Sequence, residues 1–169
     1  MTDAAHEVFI DGLRNAHAME KQALSIMQPQ LNRLEHYPQV SALLERHIRE
    51  TEGQIQRLDQ IFENLDESSS GLKDTMLSLG GSMAALTHSM ASDEILKNSL
   101  ANFAFENFEI AAYTALITAA EQANLSHAVP LLKQNLDEEV AMASQIHDGL
   151  PEVVRQYIVL SGSDQRADI

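Results

Sequence analysis

The sequence predicts an all-α protein, a four-helix bundle whose two helical hairpins are joined by one long crossover. Composition is the first reason. Ala, Leu, Glu and Gln dominate the 169 residues, while Gly (7), Pro (4) and aromatic residues (5%) are few. Such a chain loses little side-chain entropy in a helix and has too little turn punctuation for a mostly β fold. Periodicity is the second. Apolar residues recur every three or four positions along four long stretches, and a hydrophobic content of 44% lets residues 1–160 bury a core as one domain.

The first helix is expected from about residue 3 to 28, with Val8, Phe9, Leu13, Ala16, Met19, Ala23 and Met27 on one stripe. Pro29 marks its expected end, because the residue before a proline avoids the α region. The second covers about 38–65, striped by Val40, Leu43, Leu44, His47, Ile48, Ile55, Leu58 and Ile61. Residues 66–71 (DESSSG) read as a linker. An extra helix is expected over 72–90, interrupted or preceded by Gly80 and Gly81, each unfavourable in a helix by roughly 1 kcal/mol. Ser92-Asp93-Glu94 reads as the cap of the next long helix, which ends near Ala123. Asn124 and Pro130 bracket a short connection to a helix over about 126–148, which Gly149-Leu150-Pro151 is expected to end. A short helix over 152–160 then packs across one end, and the polar residues 161–169 are expected to fray as a flexible tail. Two long hairpins separated by about 25 residues give the connectivity of a ferritin-like four-helix bundle, whereas an up-and-down bundle uses short loops throughout.

Four glutamates disturb the apolar stripes at matched spacing. Glu20 and Glu50, on the first hairpin, are 30 residues apart (50 − 20), and Glu109 and Glu139, on the second, are also 30 apart (139 − 109). One hairpin maps onto the other with an offset of 89 (109 − 20), which also pairs His17 with Glu106, Met19 with Phe108 and Ala23 with Ala112. Residues equidistant from the turn of an antiparallel hairpin lie level. The midpoints, 35 and 124, fall in or beside the two short connections, so each hairpin brings its two glutamates level. Stacking the hairpins about a pseudo-twofold axis then gathers all four in one layer. Buried carboxylates repel and lose their hydration. Two divalent cations would balance the four charges, and carboxylate oxygens suit them. The competing reading is accidental spacing, with one or more of these glutamates facing water.

Neighbouring positions carry two readings each. His47, one turn from Glu50, is either a metal ligand or a hydrogen-bond partner behind one. Glu106, one turn from Glu109, is either a ligand or solvated. His17 occupies the corresponding turn of the first helix. Of the adjacent pair Glu138 and Glu139 only one can point fully inward, and the repeat favours Glu139. Tyr113 either donates to a ligand carboxylate or packs in the core with its hydroxyl at the rim, and Gln54 is a candidate to support a ligand from behind.

Several function classes are excluded. A net charge of −14 makes phosphate backbones and anionic membranes poor partners. With no Cys there are no disulfides, thiolate metal sites or iron–sulfur clusters. No apolar run is long enough to span a membrane and the acidic N-terminus lacks a signal-peptide start, so a cytoplasmic location is expected. No phosphate loop or nucleophile elbow is present.

The segments around the glutamates resemble the YciE/YciF-type family of the ferritin-like superfamily. They are His17-Ala18-Met19-Glu20-Lys21-Gln22, the run from His47 to Leu58, Glu106-Asn107-Phe108-Glu109-Ile110-Ala111-Ala112-Tyr113, and the run from Leu131 to Glu139. They cover all four long helices in order. The resemblance implies a ferritin-like fold, a homodimer, a di-metal centre and an association with stress responses. Two departures stand out: His47-x-x-Glu50 reverses the familiar Glu-x-x-His order, and Met142 and Ala143 follow Glu139 where family members often carry Asp at the latter position.

Repeat and resemblance together lead to a metal set of Glu20, Glu50, Glu109, Glu139, His47 and Glu106. The expected cofactors are two divalent ions, iron first, with manganese and zinc as alternatives. The expected partner is a small oxidant, oxygen or peroxide, in oxidase or peroxide-consuming chemistry. The alternative is a non-catalytic interaction or structural protein with a degenerate metal site.

Overall fold

The computed structural model describes residues 2–65, 92–163 and 165–169. Four helices account for most of them: α1 (Thr2–Leu31), α2 (Pro38–Asn64), α3 (Glu94–Gln122) and α4 (Val129–Ser161), with no strand among the described residues. The expected linker at 66–71 and extra helix at 72–90 lie outside the described residues.

Helix direction follows from which ends meet. Arg33, just past α1, donates through Nε (2.9 Å) and Nη2 (2.6 Å) to one oxygen of Glu94 in the first turn of α3. Gln30, one turn before Arg33, exchanges amide hydrogen bonds with Asn102, about two turns past Glu94. So α3 begins where α1 finishes and the two are antiparallel. At the same end, Tyr157 near the close of α4 donates to the carbonyl of Ser92. The order is up, down, down, up, which is ferritin-type connectivity. α1 packs on α2 and α3, α3 packs on α4, and α2 meets α4 more sparingly. The core joins Phe9, Leu13, Met19 and Met27 of α1 to Leu44, Leu58 and Ile61 of α2, Phe105, Leu116 and Ile117 of α3 and Leu132 of α4.

Two expected helix ends are corrected. α1 continues through Pro29 to Leu31, and α4 continues through Gly149 and Pro151 to Ser161, so the short separate C-terminal helix is the last part of α4. Each proline removes one helical N–H and displaces one carbonyl, that of Ser25 or His147. Both rings are exposed, so the freed carbonyls can turn to water and the helix goes on. Asp93 stands at the N-cap of α3 but makes no side-chain cap bond. It pairs instead with Lys97 at 2.6 Å. Asn124 takes φ 60° directly after α3, a left-handed conformation that asparagine adopts more readily than most residues and that stops the helix.

Residues 165–169, expected to fray, return to the bundle. Ala167 and Ile169 are buried. The backbone N–H of Ile95 donates to Asp168 (2.9 Å), that of His36 donates to Ile169 (3.3 Å), and the Tyr37 hydroxyl donates to Ala167 (2.5 Å). Polarity of the segment predicted solvation, but unpaired N–H groups at the α1–α2 turn and the start of α3 offer it partners.

Candidate metal centre

Each helix presents polar side chains to the bundle interior at helical spacing: His17 and Glu20 from α1, His47, Thr51 and Gln54 from α2, Glu106, Glu109 and Tyr113 from α3, and Asn135 and Glu139 from α4. All are at most 3% exposed. Among the described residues, His47, Glu106, Glu109 and Glu139 each bring one ligand atom within 4.8 Å of the others and could hold a metal ion. His47 Nε2 lies 3.2 Å from Glu106 Oε2 and 3.5 Å from Glu139 Oε2.

Glu20 borders this group, since its charge acts on both Glu109 and Glu139. Glu50 stands apart. Its side chain is 30% exposed, with one oxygen 3.2 Å from His47 Nδ1 and the other 3.3 Å from Arg46 Nε. The expected single layer of four glutamates is therefore three buried glutamates, joined by His47 and Glu106, with Glu50 at the edge. Register explains the difference. On the α1–α2 face His17 meets Asp59 at 3.0 Å and the ring of Phe62 edge-on, pairs centred near residue 38 and beyond, not at 35. α2 is thus displaced along α1 and carries Thr51 and Gln54 to the layer. At 100° per residue, Glu50 also points roughly 60° away from His47, while Gln54 points within about 20° of it.

A ring of hydrogen bonds aims these groups. Gln54 Nε2 donates to Glu139 Oε1, and the Tyr113 hydroxyl donates to Glu20 Oε1. Asn135 Nδ2 donates to the Tyr113 oxygen (2.8 Å), while its own carbonyl accepts from Arg57 Nε (2.5 Å). Arg57 also binds Glu138, which turns Glu138 outward and leaves Glu139 inside, as the repeat suggested. Thr51 satisfies its buried hydroxyl on the carbonyl of His47 (2.9 Å). Of the two readings for Tyr113, the structure shows the hydrogen bond to a layer glutamate, and Gln54, read as a support, bonds one as well. Asn135, Thr51 and Arg57 were not singled out from the sequence. Asn135 lies one turn before Glu139 on the same face, and that spacing was the available signal.

Burial dominates the electrostatics. It pushes the carboxyl of Glu20 up to about 8, against the Tyr113 hydrogen bond that favours the anion. It pushes Glu139 up to about 11, with the neighbouring Glu106 carboxyl adding to the effect. Glu109 is raised well above the usual carboxylate range by burial and then by the charges of Glu20 and Glu139. His47 loses hydration too, but Glu106 and Glu50 outweigh this and raise it above the ordinary imidazole value. Free of cations, such a layer holds protons.

The donor set fits a metal on an independent ground. Glu20 Oε2, His47 Nε2, Glu106 Oε2, both oxygens of Glu109 and Glu139 Oε2 are buried and have no hydrogen-bond partner. The His47 approaches are close enough for ion pairs but lack hydrogen-bond geometry. Buried polar atoms left this way are rare and costly, and carboxylate oxygens with an imidazole nitrogen suit iron, manganese or zinc.

Tyr113→Phe tests the supporting ring. It leaves Glu20 with neither oxygen bonded and Asn135 Nδ2 with only the longer contact to the Gln54 carbonyl (3.5 Å). The expected loss is about 1–3 kcal/mol in the metal-free protein, read by urea unfolding. Unchanged stability would show that the hydroxyl does not hold Glu20.

Comparison with known proteins agrees with this architecture. The family described as Domain of unknown function (DUF892) matches residues 4–159. Protein YciF of Escherichia coli K12 is 33% identical over 150 residues, covering 84% of this chain and 87% of that protein. The crystal structure of the E. coli stress protein YciF superposes with a TM-score of 0.72 at 31% identity, covering 90% of this chain and 98% of that one. A Xanthomonas campestris protein superposes with a TM-score of 0.75 at 28% identity, covering 91% of this chain and 96% of that one.

Proposed function

This chain belongs to the DUF892 family, and from that premise and its buried cluster we propose that it is a ferritin-like carboxylate metalloprotein holding two divalent ions, iron first. The observation that carries the reading is the set of inward-facing carboxylate and imidazole atoms without hydrogen-bond partners in the layer. His47, Glu106, Glu109 and Glu139 would hold one ion. Glu20, beside Glu109, would contribute to a second, with Glu50 available at the rim. Iron, when bound, would supply electron exchange with oxygen or peroxide. The protein's own part is to aim the ligands through Gln54, Tyr113 and Asn135 and to surround the layer with apolar side chains. The name stress protein, carried by the E. coli relative, fits consumption of an oxidant in a cytoplasmic setting.

Anaerobic titration of the metal-free protein with Fe(II), followed by metal analysis, tests the reading. Two ions per chain are expected, and no stoichiometric binding would defeat it. Subsequent consumption of oxygen or peroxide separates the oxidase reading from the second one, a non-catalytic structural or interaction protein. The second is favoured by Met142, which lies buried one turn from Glu139 and adds no ligand suited to these ions.

A homodimer is part of the proposal. Val8 (63% exposed) and Phe108 (48% exposed) flank a groove of about 440 Å³ between α1 and α3, floored by Gly12, Ala112 and Ala115. Projecting apolar side chains beside a groove of small residues suit a twofold contact in which each copy fills the other. Light scattering is expected to give twice the chain mass, and Phe108→Glu is expected to give the monomer.

A further inference from the structure

The glutamate layer is closed to water: Glu20, Glu109 and Glu139 are all 0% exposed. An ion must reach it past a group that touches solvent. Three partly exposed carboxylates stand on the surrounding helix faces, and their partners differ. Glu50 is paired with Arg46, whose guanidinium also bonds Gln145 at 2.5 Å. Glu138 is paired with Arg57. A guanidinium at either position opposes the approach of a cation. Asp59 is 50% exposed and, among the described residues, has no arginine or lysine partner.

Asp59 touches His17 instead, with Oδ1 3.0 Å from Nε2. His17 is 1% exposed; its Nδ1 is buried with no partner, and its Nε2 is close enough to Asp59 for an ion pair but lacks hydrogen-bond geometry. A buried ring nitrogen left without any partner, as Nδ1 is, is rare. Its position has meaning in the repeat: His17 corresponds to Glu106 through the offset of 89 (106 − 17), and each lies one turn before a layer glutamate. Glu106 turns toward His47 inside the layer, while His17 turns outward to Asp59. Burial and, less strongly, the charge of Lys21 work against a proton on His17; the Asp59 carboxylate works for one, and the balance still lowers His17 and favours the neutral ring.

We propose that Asp59 and His17 form an entry station for divalent cations, through which an ion captured by the exposed carboxylate passes to the imidazole and on to Glu20. The inference rests on the metal-centre reading above. A site of two ligands binds weakly, which suits transit rather than storage. It follows that Asp59 and His17 affect the rates of loading and release together and leave the equilibrium affinity unchanged, because neither belongs to the final site.

Cobalt(II) uptake by the metal-free full-length protein, followed by its visible absorbance in a stopped-flow instrument, tests this. Asp59→Asn is expected to slow uptake and release alike by about tenfold, the scale on which a local charge alters the arrival of an ion. Final stoichiometry and affinity should match the wild type. His17→Gln is expected to do the same, and Asp59→Asn keeps the test sound should the buried variant fold poorly. Unchanged uptake in Asp59→Asn overturns the station, and so does a drop in stoichiometry, which would make Asp59 part of the final site. Failure of the underlying reading looks different: the wild type itself would bind no cobalt.

Discussion

Stripped of metal, the protein is expected to lose stability as pH rises from about 6.5 to 8, by several kcal/mol. The sign follows from where the protons sit. Glu20, raised to about 8, and Glu109 and Glu139, raised further, keep their protons in the folded state at pH values where the unfolded chain has released them. Each such group makes unfolding more favourable by up to about 1.4 kcal/mol per pH unit, beginning near the ordinary carboxylate value of roughly 4.5 and ending at its folded value. His47, also raised, adds in the same direction above its ordinary value. His17 is lowered by burial and acts oppositely, losing stability as pH falls below about 6.5, so the window above that value is free of its contribution. Saturating Mn(II) should reverse the trend, because the cation favours the ionised carboxylates and displaces their protons. Urea unfolding at pH 6.5 and 8, with chelator and with Mn(II), reads both slopes. A flat profile in the metal-free protein would mean that the carboxyls are not confined as the structure places them.

The double substitution Glu109→Gln with Glu139→Gln is expected to abolish ion binding and, in the same protein, raise metal-free stability at pH 8 by roughly 2–4 kcal/mol. Glutamine matches the shape of glutamate and never ionises. Its amide can donate to the oxygens of Glu20 and Glu106, which lie close enough to shift Glu139. A function-destroying change that stabilises the fold marks groups kept for a ligand rather than for packing. Wild-type metal stoichiometry in this variant would remove the cluster from consideration. A less stable variant would show that the native carboxyls have partners worth more than the charge they must carry.

Much of this site was legible in one dimension. Glu20, Glu109 and Glu139 announced themselves as acids on apolar stripes, and all three are fully buried. His47 and Glu106 were candidates by helical spacing, one turn from a glutamate, each with a second reading left open, and both are buried in the cluster. Glu50 satisfied the same spacing rule yet sits at the edge, because the rule assumed a symmetric hairpin and the α1–α2 pair is displaced along its axis. Asn135 and Arg57 could not be recognised as supports: an asparagine or arginine on a helix is normally solvated, and only the meeting of α2 with α4 gives these two their partners.

By itself, then, the sequence determined the four long helices and three of the acids they bury, Glu20, Glu109 and Glu139, since these depend on propensity and periodicity within one segment. Tertiary structure decided the axial register between helices, the passage of α1 and α4 through their prolines, the docking of the C-terminal residues and which acid faces which cation. Those outcomes depend on contacts between segments distant in the chain, where a shift of one helical turn exchanges one inward side chain for another without altering any local pattern.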